Sequence, residues 1–149
     1  MTMLERAIKL AVEAHAGRTD KAGQPYILHP LRVMLALPQD DEAVRCAGVL
    51  HDVVEDTGTD LAAIARETNG DVARIVRTLT RRADETYTQY IRNISYQRAR
   101  LVKIADIEDN LSRIDGVRDP GDREFLRKRY TRALESLRAA EAAAMPPTQ

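Results

Sequence analysis

Residues 3–16, MLERAIKLAVEAHA, carry Leu4, Ala7, Ile8, Ala11 and His15 at spacings of three and four, which puts them on one stripe of a helix. The same spacing recurs along almost all of the 149 residues, and alternating apolar/polar runs of strand type are absent. The sequence therefore predicts an all-α fold, a single helical domain over residues 1–144. Gly17 stops the first helix, and residues 18–30 form a polar loop whose Gly23, Gln24 and Pro25 exclude continuous helix. A short helix is expected over 30–37 with Pro30 in its first turn, followed by one over 41–55 that opens on acids. Thr59 or Asp60 caps a helix to residue 68, and Asp71 is the expected cap of the next, with Val72, Ile75, Val76 and Leu79 facing inward. Residues 81–86 read as a polar joint before helices over 87–94 and 96–113. A last helix over 122–144 turns Phe125, Tyr130, Leu134 and Leu137 inward, and residues 145–149 are an expected disordered tail.

Composition narrows the function. With 23 Lys+Arg against 23 Asp+Glu the formal net charge is zero, which removes the positive field that draws a chain onto nucleic acid or anionic lipid. Phe125 and the five tyrosines form no stacking series, so nucleic acid is excluded as a partner. No apolar run approaches the ~20 residues of a membrane span. Glu5, Arg6 and Lys9 interrupt the first apolar stretch, as a signal peptide would not allow. The lone Cys46 excludes an internal disulfide and a cysteine-built zinc site, and a cytoplasmic location is expected.

All three histidines, His15, His29 and His51, fall in the first 51 residues. His51 opens the densest cluster of titratable groups, His51-Asp52-Val53-Val54-Glu55-Asp56, in which helical spacing pairs His51 with Glu55 and Asp52 with Asp56. A neutral imidazole and an adjacent carboxylate can both reach one divalent ion, but two ligands need others from elsewhere. The candidates are His15, His29 and Asp106. Asp106 shares with Ala99, Val102, Asn110 and Arg113 a stripe that otherwise faces the core, a costly place for a carboxylate unless it is paired or ligating. His15, on an aliphatic stripe, is expected to be a hydrogen-bonded packing group that supports the ligands rather than one of them.

Three segments, HAGRTDKAGQPYILHP (15–30), GVLHDVVEDT (48–57) and LVKIADIEDN (101–110), occur together. In order and separation they resemble HD-domain metal-dependent phosphohydrolases, most closely the hydrolase domain of bifunctional alarmone enzymes and the small alarmone hydrolases. The resemblance covers about residues 3–115 and does not extend to a synthetase. It implies that His29, His51, Asp52 and Asp106 hold one divalent metal, usually manganese, with other ions such as zinc able to compete. It implies that Glu55 and Asp56 orient and deprotonate the attacking water. Lys21 and Asn110 match nucleotide-contacting positions, and Tyr26 lies in the wall of the same loop. The expected activity is removal of the 3′-pyrophosphate from guanosine tetra- or pentaphosphate, a small anionic nucleotide. Alternatives are hydrolysis of another nucleotide or dinucleotide phosphate, and a non-catalytic nucleotide-binding module.

The match departs at base recognition. The family's Arg-Lys pair reads Asp20-Lys21 here, a following serine is Ala22, and Arg18 replaces the missing guanidinium only if the loop shifts. The family's AD-Arg-Leu-His-Asn ending reads Asp106-Ile107-Glu108-Asp109-Asn110. Charge is also segregated: residues 39–60 hold seven acids against Arg45, and residues 71–103 hold eight bases against Asp71, Asp84 and Glu85. This arrangement predicts that the basic stretch draws a polyphosphate toward the acidic metal pocket. The alanine-rich last helix either pairs with a second copy of the chain or closes its own core.

Overall fold

The computed structural model describes residues 1–147, folded as nine α-helices and one 3-10 turn, with no β-strand among them beyond an isolated bridge between Thr19 and Pro25. Helix α1 (Met3–Ala14) starts at a reciprocal capping box, in which the Glu5 N–H donates to Thr2 Oγ1 at 3.1 Å and the Thr2 N–H to Glu5 Oε2 at 2.6 Å. It ends earlier than its apolar period, at His15, and the chain reverses through Gly17 at φ 77°. Helix α2 (Leu28–Ala36) begins two residues before the expected Pro30. A first-turn residue has no helical partner for its N–H, so proline is tolerated there, and His29 rides on a helix instead of a loop.

The expected helix over 41–55 is two helices, α3 (Glu42–Leu50) and α4 (Val53–Thr57), broken at His51-Asp52. Nδ1–H of His51 donates to the Gly48 carbonyl at 2.7 Å, taking the acceptor that an unbroken helix would pair with the Asp52 N–H. Seven of the nine residues of α3 are buried, and it lies against α1 and α2. Gly48 is why α2 comes so near: a Cβ there would meet Leu37 Cδ1 at 2.5 Å and the Met34 Cα at 3.3 Å.

Helix α5 (Leu61–Glu67) is capped by Asp60, which accepts from the Ala62 N–H at 3.1 Å. The cap of α6 (Gly70–Leu79) is Asn69, not Asp71: Asn69 has extended backbone and accepts from the Val72 N–H at 3.0 Å, leaving Asp71 in the first turn, where its charge suits the positive end of the helix. Residues 81–86 lead through the Thr86–Gln89 capping box into α7 (Tyr87–Arg92), then come α8 (Gln97–Ser112), the 3-10 turn Ile114–Gly116 and α9 (Pro120–Ala144). Asp119 caps α9 with Pro120 in its first turn, ahead of the expected start at 122. Phe125 does not face inward as its spacing predicted: it is 61% exposed, because the first turns of α9 reach beyond the core that Leu134 and Leu137 enter. Residues 145–147 follow the helix; of the expected tail, 148 and 149 lie outside the described residues. No described helix is long and apolar enough to cross a membrane.

Candidate active site

The break at His51-Asp52, the start of α2 and the middle of α8 meet. Ligand atoms of His29, His51 and Asp106 lie within 4.8 Å of one another, and all three residues are buried. Nε2 of His29 is 2.9 Å from Oδ1 of Asp106, and Nε2 of His51 is 3.3 Å from the same oxygen. Asp52 faces the same point through Oδ2, 3.1 Å from His51 Nε2 and 3.8 Å from His29 Nε2. Tyr26 holds that oxygen with its hydroxyl, which burial and the neighbouring Asp52 charge keep protonated.

These residues fit a divalent cation. Because Nδ1–H of His51 is committed to the Gly48 carbonyl, the neutral ring points a lone pair at two carboxylate oxygens, and this buried Nε2 has no hydrogen-bond donor among the described residues. Acceptors facing acceptors need a cation between them, either a proton or a metal ion. Without a metal the proton takes that role: burial opposes the imidazolium, but Asp52 and Asp106 outweigh it and raise His51 well above the usual histidine range.

The spacing argument missed the groups that orient these ligands. Asp109, one turn past Asp106, accepts from Nδ1 of His29 at 2.7 Å, and Arg32 donates to its two oxygens at 2.8 and 3.1 Å. Burial works against the Asp109 charge, yet the bonds from His29 and Arg32 hold its carboxyl at about 2. Lys103 donates to Oδ2 of Asp106 at 2.8 Å, and Asn110 to Oδ1 at 3.2 Å. The i,i+3 relation of Asp109 to Asp106 is the one sequence signal that pointed to it.

A cavity of about 440 Å³ opens over this cluster. Of the residues singled out in the sequence, Arg18, Lys21, Tyr26, Asp56 and Asn110 line it. Glu55 is not among its lining residues; its carboxylate accepts from the Arg81 backbone N–H. Burial raises the pKa of both Glu55 and Asp56, and for Asp56 the Asp52 charge adds to it. Arg18 steadies Asp56, donating to its carbonyl at 2.8 Å with its guanidinium 5.4 Å from the Tyr26 ring centre. Asp20, at the position of the family's stacking arginine, closes its own loop by accepting from the Ala22 and Gln24 N–H groups at 2.9 Å each.

Two expectations fail here. The ring nitrogens of buried His15 have no hydrogen-bond partner among the described residues; it supports the site by packing, its ring 4.8 Å from that of Tyr26. Nor does the basic stretch 71–103 face the cavity. Only Lys103 of its eight bases lines it, while Arg98 pairs with Asp41 and Arg100 with Glu141. The cavity's other cations, Arg18, Lys21, Arg32, Arg113 and Arg129, come from outside that stretch, because folding regroups charges that are distant in the chain.

Comparisons with known proteins agree with this geometry. The family described as HD domain matches residues 7–131. The probable guanosine-3′,5′-bis(diphosphate) 3′-pyrophosphohydrolase of Synechocystis sp. is 30% identical over 137 residues, covering 83% of this chain and 18% of the relative. The guanosine-3′,5′-bis(diphosphate) 3′-pyrophosphohydrolase of Aquifex aeolicus is 38% identical over 81 residues, 52% of this chain and 12% of the relative. The probable GTP pyrophosphokinase of Mycobacterium leprae is 37% identical over 83 residues, 54% of this chain and 10% of the relative. The chain thus matches less than a fifth of the length of these relatives. A solved structure, of a metazoan ortholog of SpoT that hydrolyses ppGpp and plays a role in starvation responses, superposes with a TM-score of 0.84 at 26% identity, covering 94% of this chain and 88% of the other. With His29, His51 and Asp106 buried at one point, Asp52 facing it, and the family match spanning most of its length, the chain belongs to the HD domain family.

Proposed function

We propose that this chain is a manganese-dependent phosphohydrolase that removes the 3′-pyrophosphate from guanosine tetra- or pentaphosphate. The observation that carries it is the buried set of His29, His51 and Asp106, with Asp52 beside it, at the base of a cavity lined by six cations. A divalent ion held by these four residues supplies Lewis acidity and charge neutralisation. The solved relative that hydrolyses ppGpp shares the fold over 94% of this chain, which supports the substrate class.

In the reaction the oxygen of a water joins phosphorus, the bond from phosphorus to the ribose 3′ oxygen breaks, and that oxygen leaves with a proton as the nucleotide hydroxyl. Asp56, which lines the cavity, holds the water, and Glu55 takes its proton once its carboxylate turns from the Arg81 N–H, a task suited to carboxyls whose affinity for protons burial has raised. Arg18 fixes Asp56, while Lys21, Arg113 and Arg129 bind phosphoryl oxygens and Asn110 presents an amide to the nucleotide. Tyr26 holds Asp52 in place. The buried thiol of Cys46 fits a cytoplasmic setting.

Asp20 favours a second reading of the base. Its side chain is consumed within its own loop, so no guanidinium stacks on a guanine from that position, and a different nucleotide fits the same chemistry. Manganese-loaded protein incubated with guanosine tetraphosphate should release pyrophosphate and leave GDP. No release by fully loaded protein overturns the guanosine assignment, and a parallel panel of phosphorylated nucleotides identifies the alternative base.

A further inference from the structure

A second cavity, of about 660 Å³, lies between α7 and α9, and of its lining only Arg129 has a part in the chemistry above. Four cations line it, Arg92, Lys128, Arg129 and Arg132, and no carboxylate does. Some arginines elsewhere are neutralised at close range, as Arg98 is by Asp41 and Arg138 by Glu108, both at 2.6 Å. Here only Lys128 has an ion pair, a 3.6 Å contact to exposed Glu124; Arg92, Arg129 and Arg132 have no carboxylate partner among the described residues. A concave group of unpaired guanidinia in a chain of zero net charge calls for an anion.

Aromatic groups narrow the class of anion. The Arg129 guanidinium lies 4.0 Å from the Tyr87 ring centre and 5.5 Å from that of Phe125. Phe125 is left 61% exposed beside the cavity, and the buried Tyr87 hydroxyl has no hydrogen-bond partner among the described residues. A flat ring at Phe125 with phosphates on Arg92, Lys128 and Arg132 suits the exposed ring and these cations, and the volume is that of a small-molecule site. We infer that the α7–α9 cavity is a second nucleotide site, one that binds a phosphorylated nucleotide as a regulator rather than as substrate.

Tyr87 and Arg129 line the metal cavity as well, so the two sites share a wall. One guanidinium cannot fully neutralise an anion on each side, so the two ligands oppose each other's binding. The site's existence is independent of the proposed hydrolysis; only the coupling rests on it.

The test is calorimetry of the full, manganese-loaded chain with GTP, which lacks a 3′-pyrophosphate. The expected result is two bound equivalents, one of which is weakened about tenfold or more in the doubly substituted Lys128→Glu/Arg132→Glu chain, with unliganded turnover unchanged. GTP should raise the KM for the hydrolysed nucleotide more in the parent chain than in that variant. Phe125→Ala, which leaves every charge in place, should weaken the same equivalent. Binding in which no equivalent is weakened by either variant overturns the proposal. So does saturable binding of a single-stranded oligonucleotide or of phosphatidylserine vesicles at this groove in place of GTP. Because calorimetry reads binding alone, a chain that binds two equivalents and hydrolyses nothing refutes the proposed activity but not this site.

Discussion

Asp109 accepts a hydrogen bond from Nδ1 of His29 at 2.7 Å, although 80 residues separate them in the chain. An ionised carboxylate can only accept, so Nδ1 donates to Asp109, and Nε2, 2.9 Å from Asp106, likewise carries a proton that a bound metal ion would replace. Removing this orienting partner in Asp109→Ala should lower divalent-metal affinity by about 10- to 100-fold, as measured by manganese titration. Asp109→Asn, whose amide oxygen still accepts, should lose less. Equal affinity in all three proteins refutes the orienting role.

Asp106→Ala removes a carboxylate that contacts both histidines and leaves the half-buried Lys103 without its partner. Metal content of the purified variant should fall to near background, together with a loss of stability of about 3 kcal/mol or more from the unpaired charge. Full occupancy takes Asp106 out of the ligand set.

Glu55 and Asp56 should separate binding from turnover. In Glu55→Ala and in Asp56→Asn, metal content should be kept while turnover falls by about 10²- to 10⁴-fold, the size of a lost general base. Unchanged turnover in Glu55→Ala would place its carboxylate in a structural role at the Arg81 backbone, where the structure shows it.

Gly48→Ala tests the close approach of α2 to α3. The added methyl meets Leu37 Cδ1 at 2.5 Å, which a rotamer change relieves, and the Met34 Cα at 3.3 Å, which only a backbone shift relieves. A loss of about 1–3 kcal/mol is expected in denaturant unfolding. Metal affinity should fall with it, since the shift separates His29 from His51.

Acid should weaken the protein partly through Asp41, which caps α3 and accepts from Arg98 at 2.6 and 3.1 Å. The Arg98 guanidinium holds its carboxyl below the usual carboxylate value. The folded value is the depressed one, so the stabilisation is complete above the unfolded pKa of about 3.9 and is lost as pH falls through the folded value. Asp41→Asn should therefore flatten the acid limb of the stability profile below about pH 4 while costing little of the cap itself.

The fold class was legible because helical periodicity is local: apolar residues three and four apart predict a buried stripe wherever they occur. Boundaries were less legible where a side chain takes a backbone group, as His51 takes the Gly48 carbonyl from the helix and Asn69 takes the otherwise unpaired Val72 N–H. The candidate ligands His29, His51, Asp52 and Asp106 could be named from the sequence segments that carry them, and the structure sets them around one point. Asp109, Arg32 and the Lys103 contact were not, since each role depends on which residue folding sets opposite.

The sequence by itself determined an all-helical chain, neutral overall, with the residues of one chemistry in three segments. Only the tertiary structure decided which charges meet. It sent most of the basic stretch 71–103 to other partners, brought Arg18, Lys21, Arg32, Arg113 and Arg129 to the metal cavity, and left Phe125 in water beside a second one. Periodicity acts over one helical turn, but electrostatic energy depends on distance in space, and that distance is fixed only when helices remote in the chain pack together.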